Sequence, residues 1–198
     1  MAPLKNNRLL VFASGRGSNF EAIATAIENG QIENAQIVGL FSNKSTAPVL
    51  EKAARLKIPT HVIESKNYKH NSKFDREKYE KDLLKYALTV NPDWIILAGY
   101  MLILGREFIK EFEGKIINIH PSLLPKYKGL DAQKQALEAK ETETGCTVHI
   151  VTEEMDAGPI IAQSKVKILP EDTVERLIER LLAVEHATYV RALKKLCS

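Results

Sequence analysis

Two kinds of hydrophobic pattern alternate along the chain. Short runs that are apolar at nearly every position predict buried strands. Stretches in which apolar residues recur every three or four positions, as Phe20, Ile23, Ala24 and Ile27 do, predict amphipathic helices. The predicted strands cover residues 8–13, 36–41, 60–63, 93–98, 115–120, 145–151 and 159–168. The predicted helices cover residues 48–56, 74–90, 174–196 and a first segment that Ser18 or Asn19 caps and Gly30 ends.

This alternation of strands and helices predicts an α/β fold with a largely parallel sheet and right-handed crossovers. We therefore expect a Rossmann-like three-layer domain, with an antiparallel edge in the C-terminal half and strand 159–168 at that edge. No repeat, low-complexity tract or linker divides the sequence. We expect residues 1–198 to form one domain.

Composition narrows the class of protein. The chain has 198 residues, of which 44% are hydrophobic and 27% charged, and a formal net charge of +3. The lysines between positions 66 and 85 alternate with acidic residues, which is typical of a solvated helix face rather than of a nucleic-acid patch. We expect no signal peptide, because residues 1–8 contain no apolar core of sufficient length, and no apolar run in the sequence approaches the length of a membrane span. We expect a cytoplasmic protein with reduced Cys146 and Cys197, no membrane or nucleic-acid partner, and an oligomeric state that the sequence leaves open.

The turn between the first strand and the first helix reads Ser14-Gly-Arg-Gly-Ser-Asn19. Such a turn aims backbone N–H groups and the positive end of a helix at an anion, and glycines allow a phosphate to approach closely. A dinucleotide fingerprint would need a third glycine at Phe20 and an acidic residue about 20 positions later, and a Walker loop would need Gly-Lys-Ser/Thr. The pattern favours a monophosphate-binding loop, with an unliganded turn as the alternative.

Two polar residues end the otherwise apolar strand 115–120. Side chains alternate across a strand, so Asn118 and His120 share one face while Ile117 and Ile119 share the other. Polar side chains on a buried strand need hydrogen-bond partners or a function, and ligands bind at the carboxyl ends of strands in open α/β sheets. A core asparagine and a satisfied core histidine are the alternative.

Asp156 lies in a turn just beyond the strand 145–151 and could approach His120 from that neighbouring connection. Together, Asn118, His120 and Asp156 would supply an oxyanion donor, a proton carrier and a carboxylate that stabilises the imidazolium. A turn-forming aspartate before Ala-Gly-Pro is the alternative. Because no serine or cysteine stands where it could act as a nucleophile, the set predicts direct attack by a group of the substrate.

The segment Ile117-Asn-Ile-His-Pro-Ser-Leu-Leu-Pro125 resembles the signature of the folate-dependent formyltransferases. The similarity continues through residues 15–19, 41–44, 97–101, 103–104, 145–149 and 156–158, and so covers essentially the whole chain. Gly-Ser-Asn at the first turn is most similar to the branch that formylates glycinamide ribonucleotide in purine synthesis. The resemblance implies transfer of a formyl group from 10-formyltetrahydrofolate, a co-substrate, to the amine of that small molecule, without a metal.

The resemblance also implies roles for individual residues. Asn118 and His120 would stabilise the oxyanion, His120 would serve proton transfer to the departing folate nitrogen, and Asp156 would keep His120 charged. Gly17, Ser18 and Asn19 would bind the substrate phosphate. The residues expected next to the folate are Arg76, Met101, Leu102, Ile103, Leu104 and Asn118.

Glu185 carries a signal of its own, because the apolar stripe of the last helix leads directly to it. The stripe consists of Val174, Leu177, Ile178 and Leu181. A carboxylate on a core-facing stripe is costly unless it is paired. An exposed position where the stripe drifts is the alternative, whereas the resemblance implies contact with the substrate ribose hydroxyls.

Four other functions can be weighed against this prediction. A formyltetrahydrofolate hydrolase shares the Asn, His and Asp set, but it normally carries a regulatory N-terminal domain, which we do not expect here. A formyltransferase that acts on initiator methionyl-tRNA would need an additional C-terminal domain, which we likewise do not expect. The incomplete glycine motif disfavours a nucleotide-binding oxidoreductase, and a non-catalytic phosphate- or folate-binding module would not need all three residues. Leu102, Asp131 and Ala139-Lys140 depart from the pattern of many relatives and bear only on contacts with the folate tail. His149, although part of the matched pattern, is expected to be a structural sheet residue.

Overall fold

The structure, a computed structural model, describes residues 6–70 and 73–198. Its helices are α1 (Ser18–Glu28), α2 (Val49–Arg55), α3 (Arg76–Val90), α4 (Arg106–Glu111), α5 (Ala132–Glu138) and α6 (Val174–Cys197). Its strands are β1 (Asn7–Phe12), β2 (Ala35–Ser42), β3 (Thr60–Val62), β4 (Lys69–His70), β5 (Lys73–Phe74), β6 (Trp94–Leu97), β7 (Ile116–His120), β8 (Glu143–Ile150) and β9 (Ile160–Lys167). Strands β4 and β5 pair only with each other.

The other seven strands form one sheet in the order β3-β2-β1-β6-β7-β8-β9. Every pair from β3 to β7 is parallel, whereas β7 with β8 and β8 with β9 are antiparallel. This confirms the predicted fold class and places β9 at the edge. The reversal at β8 sets Thr147 opposite His120 and His149 opposite Asn118.

Helices cover both faces of the sheet because its strands are apolar on both faces. On β1, Leu9 and Val11 belong to the hydrophobic cluster that also contains buried residues of α1, α2 and α6. Leu10 and Phe12 belong to the opposite cluster, with buried residues of α3 and α4. Burial of each such side chain contributes roughly 1.5–3 kcal/mol. The three predicted layers are therefore present.

Two features of the helices differ from the prediction, namely the cap of the first helix and the presence of two further short helices. The first helix is capped by Gly17, and Ser18 and Asn19 lie inside it, so the prediction that one of them is the cap was wrong. Helices α4 and α5 were not predicted, because six and seven residues are too few to establish a helical period.

Over the described ranges, no helix is both long and apolar enough to span a membrane.

Candidate active site

Gly17 turns the chain from β1 into α1. Its φ of +71° is left-handed, and a Cβ placed on it would overlap Val49 of α2, so both the backbone and the packing require glycine. No side chain caps the helix. The N–H groups of the first turn, which ordinary caps satisfy, are therefore available to an anion.

Asn19 and Glu185 meet at this helix end although they are far apart in the sequence. The Asn19 amide donates to Glu185 Oε2 over 3.0 Å, and both residues are buried. Burial raises the pKa of Glu185, and the hydrogen bond from Asn19 offsets part of that effect. Asn19 Oδ1 is buried and has no partner among the described residues. We call Gly17, Ser18, Asn19 and Glu185 the helix-end site.

Ser14, in the loop after β1, contacts the loops that follow β2 and β6. Its hydroxyl donates to Asn43 Oδ1 over 2.6 Å and accepts from the N–H of Met101 over 2.9 Å. Neither Ser14 nor Asn43 was among the site residues predicted from the sequence. The signal that could have found them is their position, since each is a small polar residue directly after an apolar strand.

Asn118, His120 and Asp156 form a second group, which we call the strand-end cluster. His120 Nδ1 lies 3.3 Å from Asp156 Oδ2, as the sequence predicted, and both side chains are largely buried. Asn118 is half-buried two positions earlier on the same face of β7. The neighbours of opposite parity, Ile117 and Ile119, belong to the core on the other face.

Both ring nitrogens of His120 face acceptors. Nδ1 faces the Asp156 carboxylate, and Nε2 lies 2.7 Å from the carbonyl oxygen of Tyr127. The Tyr127 carbonyl accepts a hydrogen bond from Nε2–H, whereas the contact of Nδ1 with Asp156 is at an ion-pair distance. Together the two contacts fix the orientation of the ring.

Asp156 reaches the cluster because the turn after β8 folds back tightly onto that strand. A Cβ at Gly158 would overlap the carbonyl oxygen of Ile150, so only glycine allows this approach. Burial by itself raises the pKa of Asp156, but hydrogen bonds from His149 and the Gly129 N–H, together with the nearby His120, hold that pKa below its ordinary value. Asp156 is therefore an ionised partner for His120 at neutral pH.

His149, which the sequence predicted to be a structural residue of the sheet, lies beside the strand-end cluster. Its Nε2 lies 3.5 Å from Asp156 Oδ1, so Asp156 stands between two imidazoles. The signal was available in part, because His149 alternates with the core residue Val148 on β8. The position of His149 opposite Asn118 depends on how β7 and β8 pair, which cannot be read from the sequence.

The expected folate side is formed by the loop after β6 and by the start of α3. Arg76 donates to the carbonyl of Ile103 over 3.1 Å, and the side chains of Met101 and Ile103 are 67% and 60% exposed. Leu102 is half-buried. Leu104 is buried, so its side chain packs into the core and not on the exposed surface of the loop. Exposed apolar side chains beside an exposed guanidinium, which also lies 3.5 Å from Glu80 Oε1, fit a flat ring system that carries an anionic tail.

A cleft of about 490 Å³ lies elsewhere on the surface, and none of the residues expected next to the folate lines it. Its walls come from α4 and from the segment after β8, and include Ile109, Val151 and Thr152. Among the parts of the chain that the structure covers, no group of three or more histidine, cysteine, aspartate or glutamate side chains could hold a metal ion.

The profile of the family described as formyl transferase matches residues 7–193. The chain is 47% identical over 192 residues to the trifunctional purine biosynthetic protein adenosine-3 of Drosophila pseudoobscura pseudoobscura, covering 96% of this chain and 14% of that protein. It is 43% identical over 194 residues to the human protein of the same name, covering 98% of this chain and 19% of that protein. The chain thus spans less than a fifth of the length of these relatives.

Solved structures of similar length also match. The phosphoribosylglycinamide formyltransferase of Bacillus halodurans superposes with a TM-score of 0.89 at 41% identity, covering 96% of this chain and 95% of that one. Glycinamide ribonucleotide transformylase 1 of Geobacillus kaustophilus superposes with a TM-score of 0.88 at 43% identity, covering 97% and 99%.

Proposed function

The chain belongs to the formyl transferase family, and on that premise we propose that it transfers the formyl group of 10-formyltetrahydrofolate to the amine of glycinamide ribonucleotide. The observation that carries the proposal is the contact of His120 with Asp156, 3.3 Å apart at the end of the strand that holds Asn118. The names of the similar solved enzymes support the choice of substrate.

The proposed catalytic unit is one domain over residues 1–198, with the phosphate of the substrate in the N-terminal part and the folate in the C-terminal part. Gly17, Ser18 and Asn19 hold the phosphate with the first-turn N–H groups of α1. Glu185 accepts from the ribose hydroxyls. This assignment is supported by the lack of a side-chain cap on α1 and by the unpartnered oxygen of Asn19.

The folate provides a formyl group on a nitrogen that can leave. Arg76 and the loop Met101, Leu102, Ile103 and Leu104 form the wall against which it binds, with Asn118 at the reacting end. Support comes from the exposed apolar side chains of Met101 and Ile103 in that loop. These residues orient the formyl carbon and exclude water from it.

The substrate amine attacks the formyl carbon directly, and negative charge develops on the formyl oxygen. The Asn118 amide donates a hydrogen bond to that oxygen, and the His120 imidazolium donates a second one through Nδ1–H, because Nε2–H is already bonded to the Tyr127 carbonyl; a donor of this kind contributes roughly 10²–10³ in rate. His120 then serves proton transfer to the departing nitrogen, and Asp156 stabilises the positive ring throughout. No nucleophile from the protein is used.

The proposal is tested by incubating the purified protein with 10-formyltetrahydrofolate, with and without glycinamide ribonucleotide. We expect formylated product and tetrahydrofolate only when the amine is present. Release of formate whether or not the amine is present would instead identify a hydrolase. Folate binding without turnover would identify a binding module, and the His120→Asn variant is the inactive control.

A further inference from the structure

Tyr127 makes two hydrogen bonds that point in different directions. Its carbonyl oxygen lies 2.7 Å from His120 Nε2, and its hydroxyl donates to Glu141 Oε1 over 2.8 Å. Its φ of +55° lies in the left-handed region, which residues other than glycine disfavour. Something outside the local backbone must hold Tyr127 in this conformation.

Glu141 is the group placed to hold it. The carboxylate also pairs with Lys126 over 2.7 Å, and the Ser122 hydroxyl donates to the Lys126 carbonyl over 2.6 Å. Hydrogen bonds from Lys126 and Tyr127 lower the pKa of Glu141, and the bond to Glu141 raises the pKa of the Tyr127 hydroxyl. Glu141 is therefore a charged acceptor at neutral pH, and charged acceptors make the stronger hydrogen bonds.

The orientation of the His120 ring depends on this arrangement. A ring held by Asp156 at Nδ1 alone could pivot about that contact. The Tyr127 carbonyl provides the second fixed point, at the opposite nitrogen. Orientation of a catalytic group to within a fraction of an ångström is part of what gives an active site its rate.

We infer that Glu141 is a positioning residue for His120, acting through Tyr127: it fixes the tyrosine side chain so that the tyrosine carbonyl orients the imidazole. Its effect on turnover rests on the proposed function, whereas its effect on the ring geometry does not. Glu141 touches neither expected ligand in the proposal, and its influence passes through a strained backbone rather than through a proton path.

The experiment compares the Tyr127→Phe, Glu141→Ala and Glu141→Gln variants in the formyl-transfer assay. We expect kcat to fall about tenfold in Tyr127→Phe and in Glu141→Ala, with the KM of both substrates unchanged. Glu141→Gln retains an acceptor oxygen and should recover part of that loss. The double variant should be no slower than either single variant, because both break the same contact.

The matched control is Glu143→Gln. Glu143 is an exposed carboxylate two positions away that pairs with Lys165 over 2.6 Å, and its removal should leave kcat unchanged. A second measurement is hydrogen exchange at the Nε2–H of His120, followed by NMR and assigned with the His120→Asn variant. We expect exchange several-fold faster in Tyr127→Phe and Glu141→Ala than in the unmodified protein and the control.

The outcomes separate the two proposals. If the unmodified protein transfers no formyl group, the proposed function fails, and the exchange rates still decide whether Glu141 orients the ring. If the protein is active and Glu141→Ala keeps its full kcat, the positioning role is wrong. Unchanged exchange at Nε2 in both variants would overturn the geometric basis of the inference.

Discussion

His120 and Asp156 of the strand-end cluster differ from the helix-end site in how completely the protein satisfies their polar groups. In the strand-end cluster, His120 is held at both nitrogens, and Asp156 accepts from Gly129 as well as facing His120 and His149. In the helix-end site, α1 has no side-chain cap and Asn19 Oδ1 is buried without a partner in the described chain.

We expect this difference to distinguish the groups that take part in the chemical step from the groups that bind the substrate. Groups fixed by the protein before any ligand arrives are preorganised for a transition state. Groups left unsatisfied gain their hydrogen bonds from a ligand, so they contribute to affinity. Substitutions in the strand-end cluster should therefore lower kcat, and substitutions in the helix-end site should raise KM.

The largest effect is expected for Asp156→Asn. The neutral amide no longer stabilises the imidazolium, so kcat should fall by about 10³, within the range for a lost general-acid function, while the protein remains folded. Steady-state kinetics and circular dichroism test this. Glu154→Gln, an exposed position in the same turn, is the control, and near-normal turnover in Asp156→Asn would contradict the assigned chemistry.

Asn118→Ala should come next. Removing one oxyanion donor lowers kcat by roughly 10²–10³, with a smaller change in the KM for glycinamide ribonucleotide. Single-turnover measurements would place the loss in the chemical step. The exposed Asn67, changed in the same way, should have no effect; a pure increase in KM for Asn118→Ala would move this residue from chemistry to binding.

Asn19→Ala tests the other site. Loss of its contacts should raise the KM for glycinamide ribonucleotide about tenfold, because about 1.4 kcal/mol corresponds to one factor of ten in affinity. The kcat should change by much less. Asn29→Ala at the opposite end of α1 provides the comparison, and an unchanged KM in Asn19→Ala would refute the phosphate assignment.

The smallest effect is expected for Glu185→Gln, measured by thermal unfolding. Burial raises the pKa of Glu185 in the folded state. The unfolded state therefore ionises more readily, and stability is lost as the pH rises from the ordinary value towards the folded one. At pH 7 the glutamine variant should be more stable, by roughly 2–4 °C in Tm for about 1 kcal/mol. That gain should shrink below the ordinary pKa, and a Tm lowered at pH 7 would contradict this account.

Local patterns were enough to predict much of the fold and the central contact of the site. Strand parity placed Asn118 and His120 on one face, and the turn after the next long strand brought Asp156 to them. The shared face of Asn118 and His120 follows from side-chain alternation, which a sequence displays. The approach of Asp156 needs the turn after β8 to fold back, because the antiparallel β8 ends beside Ile117 and not beside His120.

The parts that were missed depend on information that residue types do not carry. The hydrogen bond from His120 to Tyr127 uses a backbone carbonyl, which every residue has, so the residue type at position 127 does not predict it. The cap at Gly17 follows from contact with Val49, which lies in a different helix. The approach of His149 to Asp156 depends on the antiparallel register of β7 and β8.

That reversal has a consequence for how such a protein can change over time. A parallel crossover would carry the chain from His120 to the far end of the sheet before the next strand. Because β8 runs back antiparallel, the connection from β7 through α5 begins and ends at the same edge, directly beside the reacting groups. Insertions or exchanges in that connection can alter the choice of substrate while every strand, and the chemistry fixed on the strands, stays in place.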